Sequence, residues 1–225
     1  MRDGNPVRRR TLLKGLAAIG LAGGGISGVI SRALANGDNP VAAGLRSFEG
    51  AVSINGQAAR VGMLIKPGDT VVTGANSKAV YVIGQDAFLQ RDQTIVVFGD
   101  TAADFMRVAT GKLLSVFGKG QKKLRVSTAT IGIRGTGCYI ESGERETYFC
   151  LCYGEAEVVP TGAPEQREVI VTRHHDHPIT ISASMQGGNI MAAAPVINHT
   201  DDELTLLESL VGRRPPYEGW VGGKY

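Results

Sequence analysis

The stretch T-Y-F-C-L-C-Y-G, Thr147 to Gly154, carries three aromatic residues and two cysteines one residue apart. Aromatic and β-branched residues suit a pleated backbone, so this stretch reads as a strand. Successive side chains on a strand alternate faces, which puts Cys150 and Cys152 on the same side. Their α-carbons would lie about 6.6 Å apart along an extended chain. That is near the outer limit of disulfide geometry, so the pair is poorly placed to bond to itself. It is better placed to share a metal, or for one thiol to bridge to a cysteine elsewhere.

The same pattern continues in both directions. Short β-like runs stand at 79–83, 94–98, 112–117, 124–128, 139–142, 156–159, 168–172 and 179–182, separated by turn residues. Asn55-Gly56 is a strong hairpin signal. In Lys66-Pro67-Gly68-Asp69 proline presets φ and glycine is free to take a positive one. Strands this closely spaced, with no helix between them, exclude an alternating α/β sheet. The expectation is an all-β fold, a sandwich or a β-helical roll of short strands, with one short C-terminal helix. That helix is marked by a capping box, Thr200 as N-cap and Glu203 three residues on, with Leu204, Leu207 and Val211 along one face. Residues 184–199 read as a connector to it, and 213–225 as a tail holding Trp220.

Gly132-Ile133-Arg134-Gly135-Thr136-Gly137 does not have the dinucleotide-binding spacing, and a strand follows it instead of a helix. Its glycines read as a corner or bulge between strands. Two stretches resemble the FecR domain family. K-P-G-D-T-V-V-T-G-A-N-S-K-A-V-Y-V (66–82) is similar to the family's opening motif, and A-T-I-G-I-R-G-T-G-C-Y-I-E (129–141) to its second, followed by the strand of Cys150. The resemblance spans residues 46–160 and implies an all-β extracytoplasmic domain, with 161–183 as a β extension. The best-known members relay the state of an outer-membrane iron-siderophore receptor to a sigma factor, so a relation to iron-uptake signalling is implied. Those members carry a cytoplasmic segment and a membrane helix ahead of the domain. The acidic turn of the first motif region is also altered here, to Gly84-Gln85-Asp86-Ala87.

Residues 1–35 read instead as a leader. Arg8-Arg9-Arg10-Thr11-Leu12-Leu13-Lys14 precedes a 16-residue apolar run with six glycines, and Ala33-Leu34-Ala35 ends it. A basic start, a short apolar stretch and a small-x-small end make a cleavable export signal. With Arg9 and Arg10 as the pair, it resembles the twin-arginine type, which carries folded proteins. The expectations are cleavage after Ala35, a periplasmic location and no stable membrane span after cleavage. From Asn36 onward 18 basic and 20 acidic side chains remain, near −2, whereas the whole sequence carries +3. No basic stripe argues for nucleic acid as a partner.

Three cysteines and four histidines carry the remaining chemistry. Gly143-Glu144-Arg145-Glu146 reads as a hairpin turn. Opposed residues across it then have a constant index sum: 288 sets Cys138 against Cys150, and 290 sets it against Cys152. Either places all three sulfurs on one face, whereas 289 sends Cys138 to the other. Downstream, His174, His175 and His177 lie in R-H-H-D-H-P. In an extended backbone His175 and His177 project together, repeating the cysteine spacing. Three readings follow. One is a Zn or Cu site from Cys150, Cys152 and one or two of His174, His175 and His177. Another is a disulfide from Cys138 to Cys150 or Cys152. The last is plain buried thiols beside a solvated histidine loop. No G-x-S-x-G elbow or H-E-x-x-H helix is present, and the expectation is no enzyme. The functional expectation is therefore an exported binding or sensing module. The alternatives are a structural envelope protein with a disulfide-stapled sheet, or a receptor-partner subunit using the helix and the Trp220 tail.

Overall fold

The computed structural model describes residues 40–217 apart from residue 187; the leader positions Arg9, Arg10, Ala33 and Ala35 and the tail Trp220 lie outside the described residues. Fourteen strands form one mixed sheet. The first seven are β1 (Gly44–Glu49), β2 (Val52–Ile54), β3 (Gln57–Ala58), β4 (Thr70–Thr73), β5 (Lys78–Ile83), β6 (Asp86–Gln90) and β7 (Thr94–Thr101). Then follow β8 (Asp104–Val116), β9 (Gln121–Arg125), β10 (Ala129–Ser142), β11 (Glu146–Pro160), β12 (Glu168–Thr172), β13 (Ile179–Gln186) and β14 (Asn189–Ala193). A helix, α1 (Asp201–Leu210), lies against the outer face. All pairings are antiparallel except the short parallel contact of β8 with β9. Among the described residues no helix is long and apolar enough to cross a membrane.

Three long strands organise the molecule. The first half of β8 pairs with β7, and its second half with β6 and β10. β10 pairs with β9 along its first half, and β11 passes from β13 to β12. Each long strand therefore serves two parts of a sheet that bends over itself. Tyr81 on β5 and Phe88 on β6 pack against Phe98 on β7, with ring centroids 6.0 and 5.6 Å apart, although neither strand is hydrogen-bonded to β7. The inner face, from Leu45 through Phe88, Ile131 and Phe149 to Ile181, is buried without any helix residue. The sheet covers its own inner face, as a roll does.

The corner in β10 sits where the glycine-rich motif predicted one. Pairing with β11 slips between Arg134 and Gly137, and Gly135 takes φ +60 in the slip. A side chain at Gly137 would meet the Tyr153 ring at 2.5 Å, so only glycine lets that ring close against the strand. Near the other end of the hairpin the Gly143 N–H donates to Glu146 O at 2.9 Å, leaving Glu144-Arg145 as a two-residue loop. That loop fixes the register: Ser142 faces Thr147, Tyr139 faces Cys150 and Cys138 faces Leu151. The index sum is 289, the odd value, and it turns Cys138 away from Cys150 and Cys152.

Two other sequence expectations change. Residues 184–199 were expected to be a connector, yet the end of β13 and all of β14 form a hairpin there, with Ile181 facing Met191. The altered turn at Gly84-Gln85-Asp86-Ala87 opens directly into β6, every residue of which is buried. Alternation is invisible in a strand buried on both faces. The buried Gln90 there is satisfied internally: Tyr81 Oη donates to its Oε1 at 2.9 Å, and its Nε2 donates to the carbonyls of Val71 and Thr94.

Helix α1 begins as its capping box predicts, with Glu203 N–H donating to Thr200 Oγ1 and Thr200 N–H to Glu203 Oε2. Ten residues of helix would not persist alone. Leu204, Leu206, Leu207 and Leu210 are buried against Leu89, Leu114 and Val116 of the outer face. Each leucine withdrawn from water contributes about 1.5–3 kcal/mol before entropy is counted. Arg91 fixes the helix start. It donates to both oxygens of Glu203 and to the Asn198 carbonyl, and its guanidinium lies 5.8 Å from the Tyr139 ring centre.

Candidate metal centre

β11 brings Cys150 and Cys152 to the outer face, both buried, under the start of α1. The loop after β12 then folds back onto β11. The His175 N–H donates to Cys152 O at 2.9 Å, and Thr172 Oγ1 to Leu151 O at 3.1 Å. Within the loop Asp176 caps the backbone N–H groups of Arg173 and His174. His175 takes φ +54, a left-handed turn that any extended reading of the segment misses. His175 consequently points inward, with Nδ1 3.3 Å from Cys150 Sγ.

His177 goes the other way. It is half-exposed and pairs with Glu168 at 3.0 Å, outside the cluster. His174 lies beside the cluster without joining it: its Nε2 is 2.9 Å from Asp201 Oδ2. His199 takes the place expected of those two. Its Nε2 lies 3.0 Å from His175 Nδ1, and its ring stacks on Tyr139 at 4.7 Å. The sequence carried one signal for it, its position directly before the N-cap, but that became informative only once α1 was docked.

The alternative reading, a disulfide from Cys138 to Cys150 or Cys152, is not what the structure has: all three cysteines are free thiols. Cys138 belongs to the inner core beside Ile140 and Leu151, across the sheet from the pair. The odd register set by the two-residue loop is the reason.

The sulfurs of Cys150 and Cys152, with one ring nitrogen each from His175 and His199, all lie within 4.8 Å of one another. These four buried side chains form a group able to hold a metal ion. Tetrahedral zinc would set its ligand atoms about 3.3 Å (N to N), 3.5 Å (S to N) and 3.8 Å (S to S) apart. The two separations at His175 Nδ1, 3.0 Å to His199 Nε2 and 3.3 Å to Cys150 Sγ, lie close to the corresponding values. The outer nitrogens of both histidines are also provided for. His199 Nδ1 is 2.6 Å from the Ile197 carbonyl, which can only accept. His175 Nε2 is 3.3 Å from Asp201 Oδ1. Partners of this kind fix ring orientation and tautomer for metal ligands. They hold each proton on the outer nitrogen and turn the free lone pair of the inner one toward the sulfurs.

The electrostatics agree with this arrangement. Hydrogen bonding from Cys152 holds the Cys150 thiol well below its ordinary value; burial opposes this, and His175 and His199 add to the lowering. Cys152 is pushed up, by burial first and then by the neighbouring Cys150. Burial raises Asp201, but hydrogen bonding and electrostatic attraction from His174, then from His175, more than offset it and leave the carboxyl lowered. Cys138, in the apolar interior, is raised by burial alone in the main, with a smaller push from Cys150.

No family model matches the chain, and no curated protein does. Among solved structures, two crystal structures of a protein from Parabacteroides distasonis, described as an anti-sigma factor, are similar at 10% identity with a TM-score of 0.45. Each match covers 56% of this chain and 58% of the other. At that identity and score the likeness carries nothing about function.

Proposed function

We propose that the protein is an exported, non-catalytic binding or sensing module of the cell envelope, and that it holds one zinc ion between Cys150, Cys152, His175 and His199. The observation that carries this reading is the inward convergence of two sulfurs and two imidazole nitrogens, with the outer nitrogen of each imidazole already tied. Two imidazole lone pairs facing each other at 3.0 Å repel unless a proton or a cation lies between them. Zinc satisfies all four donors at once and releases the thiol protons. A fully protein-ligated, buried tetrahedral set is of the structural kind, with no open position for a substrate. Copper(I) is the competing ion for the same thiolates.

Such an ion would join the sheet, through β11, to the N-terminus of α1, through His199. The seating of the helix would then report metal occupancy, which is a sensing function. The twin-arginine-type leader supports export and the periplasm. It also supports loading in the cytoplasm, where thiols stay reduced. The FecR resemblance of residues 66–82 and 129–141 supports a place in envelope signalling, with an envelope protein as the partner.

The test is metal content and cobalt spectroscopy on protein purified under reducing conditions. About one equivalent of zinc is expected, replaceable by cobalt with thiolate charge-transfer absorption. The double variant Cys150→Ser/Cys152→Ser loses both signals, and Cys138→Ser keeps them. Protein that binds no zinc, or a double variant that still does, overturns the assignment and leaves a structural envelope protein.

A further inference from the structure

Beside the metal centre lies a cavity of about 750 Å³, a size suited to small organic ligands. Its charge is one-sided. Lys119, Arg173, Arg213 and Arg214 line it against a single carboxylate, Glu208. That carboxylate is already engaged, since it accepts from Tyr153 Oη and from Arg213 Nε. Arg213 Nη1 donates to the Gln85 carbonyl at 2.7 Å, while its Nη2 is buried with no hydrogen-bond partner. Arg213 is thus tied into the wall, and the cations open to the cavity are Lys119 and Arg173. Lys119 and Arg173 enter no ion pair among the described residues. The wall also carries three aromatic rings, Phe117 with Tyr153 and Tyr217 whose ring centres are 5.9 Å apart, beside Thr172 and His174.

From this we infer that the cavity is a binding site for a small organic anion with a flat apolar body, its acidic group held by Lys119 and Arg173 in the field of Arg213. Charge-assisted hydrogen bonds fix the acidic end, and the aromatic wall holds the body. The carboxylate, phosphate and sulfonate groups share this chemistry. The site is separate from the zinc ligands, although His174 in its wall shares Asp201 with His175.

The experiment is a fluorescence titration of the full chain with anilinonaphthalene sulfonate, an aromatic anion, alongside neutral phenylnaphthylamine. Saturable binding at one site is expected for the anion. The neutral dye should bind about tenfold more weakly, the cost of about one charge-assisted contact. Lys119→Ala/Arg173→Ala, both exposed positions, should weaken the anion at least about tenfold and leave the neutral dye unchanged. Val171→Ser, an exposed apolar position on β12, is the control and should change nothing. Equal binding of the two dyes, an unaffected double variant, or loss on Val171→Ser each overturns the assignment. Because the readout involves no metal, its failure leaves the zinc reading standing, and the reverse also holds.

Discussion

The two faces of the β10–β11 hairpin treat the same residue type in opposite ways. Cys138 looks into a core of leucines, isoleucines and packed phenylalanines, where nothing stabilises a thiolate. Cys150 and Cys152, a few ångströms away through the sheet, look out at two imidazoles and the start of a helix. Burial is complete or nearly so for all three, so burial is not what separates them. What separates them is the set of partners each face receives. The inner face is filled from the sheet itself. The outer face is filled by segments that arrive later in the chain, the loop after β12 and helix α1, and these bring the polar atoms. An apolar environment gives an inert thiol, while a buried environment with matched donors gives a thiol able to serve as a ligand.

The sharpest way to break this contrast is to damage one face and watch the other. Phe88→Ala empties the inner aromatic cluster and should cost about 3–5 kcal/mol in denaturant unfolding. Zinc stoichiometry measured on the folded fraction should stay unchanged. Loss of zinc from folded Phe88→Ala protein would show that the two faces are not independent. On the outer face, Asp201→Asn removes the carboxylate that orients His175. Zinc affinity should fall about 10- to 100-fold in a chelator competition, with the stoichiometry retained. An unchanged affinity would make Asp201 an ordinary helix-start residue. The smallest effect is expected from Cys138→Ala, which removes one buried sulfur. It should lower stability by about 1 kcal/mol and leave the cobalt spectrum as it was. A changed spectrum would place Cys138 near the ion after all.

Much of the scaffold could be read from the residues. The aromatic and β-branched runs, Asn55-Gly56, the Pro67-Gly68 turn and the Thr200–Glu203 capping box are local signals, each decided by neighbours a few positions away. Asn55 and Gly56 do take left-handed φ values between β2 and β3. Strand register is different, because it depends on the number of residues in a turn and no local signal sets that number. The hairpin at Gly143–Glu146 was foreseen, but its two-residue loop makes the register odd, and that one step sent Cys138 to the other face. At His175 one left-handed residue reverses the direction of the ring and cancels the pairing with His177. β6 and the first half of β8 lacked clean alternation and escaped notice. His199 escaped for a different reason: its relation to Cys150 spans the whole of β12, β13 and β14, and no pattern in the sequence encodes that distance.

The placement of His199 and Asp201 also sets the order in which the molecule can be finished. Both leave the ribosome after every described strand, so a nascent chain holding the complete sheet still presents Cys150 and Cys152 without their lid. The segment carrying His199 and α1 closes the pocket over them, and a chain interrupted before α1 would display two accessible sulfurs. Seating of the helix and protection of the thiols thereby become a single event.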